Sequence, residues 1–460
     1  MIKEKLVDKK KLFNSLLVLS LPIALQSLIT FSINMADVFM VQVLGEKELG
    51  ACMIANIPCL IFYSIVFGFG GSACILCSQY YGKRDIVAIK KVMAIVLDSM
   101  LVIGSIFTVL LLFKAEWVMA LLTNNRELVA IGAPYLRIVA FSYVLTGFIT
   151  TYMLTIRSVE IVKISLVLEI LTLILNVILN YMFIFGNLGV PAMGVKGAAL
   201  ATLISRIIVF CFGVWFLQIK EEKVRFRLND LFKLDVKLII RFFKISYTVI
   251  ISEILWGLGI SLNSIVFSKG GSQEVIAAVS IMSMVMQFST IFITGFAASV
   301  EVIIGQLIGN NKRECAKETA KILVIVSVFI GLISSVLTLA VKHPIVKWGK
   351  LSLGAQSLSM QLININAVVI IFQAVSSTCI SGVLRGGADT KAVLLLDALS
   401  LWCCAIPLAW LGNYVWNLSP VVVYIFTRID VFVKLIFAMR RLKEDKRMNN
   451  ITENQMLGSI

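Results

Sequence analysis

The side chains best suited to chemistry in this 460-residue chain are few, and most of them lie inside long apolar runs. Asn34 and Asp37 stand three apart in the first run, and Asn176 and Asn180 stand four apart in the fifth, so each pair shares one helix face. A charged group in mid-span costs about 2.5 to 3.5 kcal/mol on insertion scales, so Asp37 calls for a partner or a function. A carboxylate facing amides can bind a proton or a metal cation, and the alternative is a static hydrogen-bonded clamp between the two helices. Pro22 lies earlier in the same run as Asp37 and removes one backbone hydrogen bond, which predicts a hinge there.

The second half carries Glu253, followed by Trp256, Gly257, Gly259 and Asn263, and a later run carries Met282, Met284, Met286 and Gln287. Glu253 is expected to serve a ligand or coupling ion, with an interhelical hydrogen bond as the alternative. Trp256, Met282, Met286 and Gln287 are expected to line a greasy, adaptable pocket, since Met and aromatic side chains suit varied ligands; ordinary packing is the alternative. Asp98, Glu169, Glu301, Asp397 and Asp430 are read as partners of Arg206, Arg428 or interfacial lysines. His343, before Pro344, is read as a solvated side chain in an outward loop.

Several chemistries lose their support. Nine cysteines include Cys74, Cys77, Cys403 and Cys404, and all but Cys315 lie in or beside apolar runs with no Cys/His cluster of four ligands, so no metal site is expected. The stretch Gly68-Phe69-Gly70-Gly71-Ser72-Ala73 fits a dinucleotide pattern but sits inside an apolar run with no preceding strand. No phosphate loop of the GxxxxGK[ST] type and no HExxH occurs, so ATP-driven transport and zinc proteolysis are not indicated. These residues do not read as those of an enzyme, and no cofactor is expected.

Composition dictates what positions these residues. With 59% hydrophobic residues, 15% charged and a mean hydropathy of +0.96, the chain has too much apolar surface for one water-soluble core. Its solvent is lipid, and it reads as an all-α integral membrane protein. Twelve spans are predicted, near 12–44, 48–80, 92–113, 130–156, 164–186 and 197–219, then 238–267, 273–307, 320–341, 355–384, 392–415 and 419–439. The first run is too long for a cleaved signal peptide. The net charge of +16 resides in tails and short loops, so it reports topology rather than a nucleic-acid partner. Its bias to the termini and alternate loops predicts both termini in the cytoplasm of a bacterial plasma membrane protein.

The halves resemble one another. Gly68-Phe69 through Gln79 and Gly82 matches Gly295-Phe296 through Gln306 and Gly309 without a gap, each copy running into a short basic loop. Glu253 falls where the first copy has Gln26. Residues 1–219 and 238–440 are therefore expected to form two six-helix lobes related by a pseudo-twofold axis along the membrane normal. The basic stretch 220–237 is read as their cytoplasmic linker, and 441–460 as a disordered tail.

In order and spacing these pieces resemble the multidrug and toxic compound extrusion (MATE) family of cation-coupled antiporters. The likeness runs from Leu19-Ser20-Leu21-Pro22 and Asn34-Met35-Ala36-Asp37 through Asn176 to Gly186 and Gly194 to Ala199, ending at Leu384-Arg385-Gly386-Gly387-Ala388-Asp389-Thr390. It implies two six-helix bundles around a V-shaped cavity, and export of drugs in exchange for H⁺ or Na⁺. By that resemblance Asp37 is a coupling acid with Asn176 and Asn180 as partners, although many relatives carry Asp at the position of Asn180. One branch places a cation site in the second lobe, with a seventh-span glutamate matched by Glu253; its tenth-span acid has no counterpart in Ile370–Val375. The expected partners are small amphipathic, cationic compounds and membrane lipids, with the protein acting as a monomer. The alternatives are a flippase for lipid-linked sugars, for which only Arg137 or Arg206 offers an in-span cation in the first half, and a non-transporting receptor or scaffold.

Overall fold

Backbone groups inside lipid have no water to bond, so long apolar runs satisfy them within helices. The computed structural model describes residues 9–233, 235–268, 272–349, 351–442 and 449–452, and among them every regular element is helical. In the first half these are α1 (Lys9–Gln42), α2 (Glu46–Ala55), α3 (Ile57–Gly82), α4 (Ile86–Leu122), α5 (Arg126–Ala140), α6 (Ser142–Ile156), α7 (Lys163–Phe185) and α8 (Val195–Trp215). The second half has α9 (Val236–Ser268), α10 (Gln273–Gly309), α11 (Arg313–Trp348), α12 (Leu353–Ser377), α13 (Thr390–Ala398), α14 (Ile406–Tyr414), α15 (Pro420–Thr427) and α16 (Ile429–Leu442).

Among the described residues, ten stretches are long and apolar enough to cross a membrane, and α5 with α6 makes an eleventh, bent by 53°. The last predicted span, 419–439, is built from the short helices α15 and α16. Two spans outrun their predicted ends. The third is expected to stop at 113, but α4 continues to Leu122 past a non-helical residue, Lys114. The ninth is expected to stop at 341, but α11 continues to Trp348 and takes His343 and Pro344 with it. His343 is therefore exposed, as expected, but on a helix rather than a loop.

The internal repeat is visible in the elements. Helices α1 and α9 have 34 and 33 residues, and α4 and α11 have 37 and 36. Ser72 donates to the Gly68 carbonyl at 2.6 Å and its counterpart Ser299 donates to the Gly295 carbonyl at 2.8 Å, so both hydroxyls are spent within their own helices. The ends of α3 and α10 meet reciprocally. A Cβ on Gly82 would collide with the backbone carbonyl of Gln306, and one on Gly309 with that of Gln79. Only glycine allows the two backbones to approach so closely.

Contacts group the chain into two compact units. One holds residues 26–77 and 86–246; the other holds 1–25, 78–85 and 247–460. This grouping does not follow the 219/238 division read from the sequence: the start of α1 and the end of α3 pack with the second half.

The basic segment after α8 packs closely within the first of these units. Glu221, almost fully buried, accepts from the backbone of Val224 at 2.7 Å and Phe226 at 3.2 Å, and both of those side chains are buried. Arg227 donates to the carbonyls of Leu217, Glu221 and Phe226, Lys223 to that of Val159, and Lys91 bonds Asp235 at 2.9 Å. The hydrogen bond from Lys91 holds the Asp235 carboxyl below the usual carboxylate range.

The C-terminal region departs from its expected disorder. Helix α16 runs to Leu442, and Asn450, Ile451 and Thr452 are buried. The remaining residues of 441–460 lie outside the described ones.

Candidate functional site

Helix α1 carries Asp37 and α7 carries Asn176 and Asn180, one turn apart on a buried face. Asn180 is 0% exposed; its Nδ2 donates to Asp37 Oδ1 at 2.6 Å and to Asn176 Oδ1 at 3.1 Å. Its own Oδ1 is buried with no donor. A carboxylate, an asparagine carbonyl and a second, unserved asparagine carbonyl thus stand together. Such an oxygen-rich spot favours a cation or a proton, because a buried acceptor without a donor costs roughly 1–3 kcal/mol. Asn34, expected on the same face, is exposed, and the hydrogen bonds described for Asp37 come from Asn180 and Asn176.

Arg206 on α8 is a cation whose charge reaches Asp37. It donates to the Tyr63 hydroxyl at 3.3 Å, and its charge acts on both Glu169 and Asp37. Glu169 is in turn hydrogen-bonded to Gln26 and Thr30 of α1. Pro22 lies inside α1, which continues helically through it, and the boundary between the two compact units falls after Leu25, about one turn later.

Glu253 occupies a different setting. Its Oε1 lies 2.7 Å from Arg385 Nη1, both side chains largely buried, in a charge-neutral pair. Close by, Lys434 bridges Asp397 at 3.1 Å and Asp430 at 3.5 Å, and Asp397 accepts from Ser252 at 2.5 Å. The proposed greasy pocket is not assembled. Met282 is 2% exposed inside a hydrophobic core with Val266, Phe267, Ile281 and Val285, and Met286 packs against that core. Trp256 is 53% exposed and Gln287 is exposed. An open cavity of about 770 Å³ lined by Leu44, Glu48, Pro134, Met193 and Lys196 includes neither Asp37 nor its asparagines.

The predicted pairings of the other acids are partly realised. Asp397 and Asp430 find a lysine, and Glu169 lies in the field of Arg206. Asp98 instead accepts from the backbone of Phe232 at 3.0 Å, and Arg428 donates to Gln373 rather than to an acid. Arg137 pairs with Glu116 at 2.8 Å, so with Arg206 on Tyr63 the two in-span cations named for the flippase alternative are already engaged. Sequence reasoning missed Arg385 as the partner of Glu253. Arg385 lies in Leu384-Arg385-Gly386, immediately after a π-helical stretch, Thr378–Leu384, that continues α12, and nothing in that local sequence marks it as the partner of a residue on α9.

A relative named as a probable multidrug resistance protein NorM from Agrobacterium fabrum is 25% identical over 464 residues, spanning 92% of this chain and 94% of its own. The multidrug export protein MepA of Staphylococcus saprophyticus is 24% identical over 74% of each chain. Two solved structures share the fold: a MATE protein in complex with MaL6 (TM-score 0.85, 18% identity), and an outward-facing multidrug resistance MATE transporter (TM-score 0.84, 18% identity). Each alignment covers 94% of this chain and 96% of the other. The MatE family model matches residues 22–182 and 248–411, taking in Asp37, Asn176, Asn180, Glu253 and Arg385. With most of its length matched by that model, from Pro22 through both copies of the repeat, the chain belongs to the MATE family of efflux transporters.

Proposed function

We propose that this protein is a multidrug antiporter that exports amphipathic, cationic compounds in exchange for H⁺ or Na⁺, with Asp37, Asn176 and Asn180 as the coupling site. The observation that carries this reading is the donorless Asn180 Oδ1 beside a carboxylate whose hydrogen-bond partners are neutral amides. While Asp37 is ionised, Asn180 Nδ2 donates to it. When a proton arrives, the acid becomes a donor and Asn180 Oδ1 is the acceptor awaiting it; a sodium ion would draw on the same oxygens. Either event changes the bonds that hold α1 to α7, and Pro22 offers the point at which α1 can answer by bending. In this reading Glu253 has a standing partner in Arg385 and serves structure. The charge bias of the loops supports cytoplasmic termini.

The test uses proteoliposomes loaded with a fluorescent cationic dye under imposed H⁺ or Na⁺ gradients. Export driven by one of the two gradients is expected. Export at the same rate with both gradients collapsed would sink the proposal.

A further inference from the structure

The fully buried Gln79, at the end of α3, directs its amide to a remote piece of chain. Its Oε1 accepts from the backbone of Ile451 at 2.9 Å, and its Nε2 donates to the carbonyls of Asn449 at 3.1 Å and Gly386 at 3.4 Å. The same short segment reaches α10. Asn450 Nδ2 donates to the Ile308 carbonyl at 3.3 Å and to Asn311 Oδ1 at 2.5 Å, while Asn449 N donates to the Gly387 carbonyl at 3.0 Å. Lys83 Nζ meets the Thr452 carbonyl at 3.4 Å. Ile451 is 4% exposed, and Asn450 Oδ1 folds the segment on itself by accepting from Thr452 N at 3.0 Å and Thr452 Oγ1 at 2.6 Å.

These bonds follow a physical need. The last carbonyls of a helix have no partner within it, and a buried glutamine carbonyl left without a donor is costly. At this crossing Gly82 and Gly309 bring two helix ends within backbone contact, and residues 449–452 serve both ends at once.

The geometry points to residues 449–452 as a clasp that holds the ends of α3 and α10 together, so that separating those ends requires the segment to let go. As a gate in the transport cycle the clasp rests on the antiport reading above: alternating access must part the helices on this face, and the clasp stabilises the state in which they are joined. Its occupant is the chain's own C-terminal region, held by amide and backbone bonds together with the buried Ile451.

Hydrogen exchange of the full-length protein tests the clasp without reference to transport. Residues 449–452 are expected to exchange slowly in the wild type. Ile451→Asp, which leaves both helices intact, should release them and speed exchange across 79–85 and 306–312 by about tenfold or more. Gln79→Leu should do the same from the other side, and a chain ended just before Asn449 supplies a third variant should Gln79→Leu fold poorly. Fast exchange of 449–452 in the wild type, or unchanged exchange at both helix ends in Ile451→Asp, overturns the clasp. In the same vesicles Ile451→Asp is expected to change the initial export rate by about threefold or more while keeping its gradient dependence. An unchanged rate overturns the gating role. Gradient-independent export by the wild type would defeat the antiport reading and leave the exchange result standing.

Discussion

Asp37 and Glu253 are both carboxylates in apolar helices of one duplicated chain, yet their neighbours differ in kind. Asp37 faces the amides of Asn176 and Asn180, with Arg206 acting on it from a position already bonded to Tyr63. Glu253 is locked at 2.7 Å to Arg385. An acid neutralised by a fixed guanidinium has little left to offer a passing cation, whereas an acid solvated by amides keeps its charge available. What matters is therefore whether the partner is charged, since both acids are removed from water.

The largest expected effect separates the two sites outright. Asp37→Asn should bring gradient-driven dye export down to the level of protein-free vesicles, while the double replacement Glu253→Gln with Arg385→Gln keeps most of it. The opposite result would reverse the assignment. Next in size is stability: Glu253→Gln alone leaves Arg385 buried without its counter-charge and should cost about 3–5 kcal/mol, read as early thermal unfolding in detergent. Replacing both partners with apolar residues should recover most of that loss. Asn180→Ala keeps the acid but removes a hydrogen bond to a charged group, worth roughly 1.5–3 kcal/mol, so export should slow by about tenfold and thermal unfolding should come earlier, by less than in Glu253→Gln. The smallest effect lies outside the spans. Asp235 is held below the usual carboxylate range by Lys91, so its contribution to folding is present above about pH 4 and fades as pH falls through the folded value. Asp235→Asn should lower the unfolding temperature slightly at neutral pH, and the difference from wild type should vanish in acid.

The spans were legible because an apolar run of membrane length has few other ways to satisfy its backbone. Asp37 and its asparagines were legible because spacings of three and four place polar groups on one helix face, although the same rule also put Asn34 there and the structure leaves it exposed. Arg385 was hidden because an ion pair between distant segments leaves no local pattern. Met282 lies in a core, the packing alternative, which the sequence could not decide because helical periodicity says which residues share a face but not whether that face meets a ligand or a core. The packed segment around Glu221 and the buried Ile451 were missed for a related reason: polar composition suggests solvent, yet backbone amides can serve a carboxylate as water does.

The meeting of Gly82 with Gln306 and of Gly309 with Gln79 has a historical consequence. The contact is self-complementary, the same residue types presented from both sides, which is the form an isologous interface takes between identical subunits. Two half-length chains carrying one such glycine and one such glutamine could have made it before any fusion joined them. The interiors of the two copies differ, one holding amides around an acid and the other an arginine beside one. At this crossing each glycine remained answerable to the other copy's backbone, so mutational drift in either half is policed by its twin.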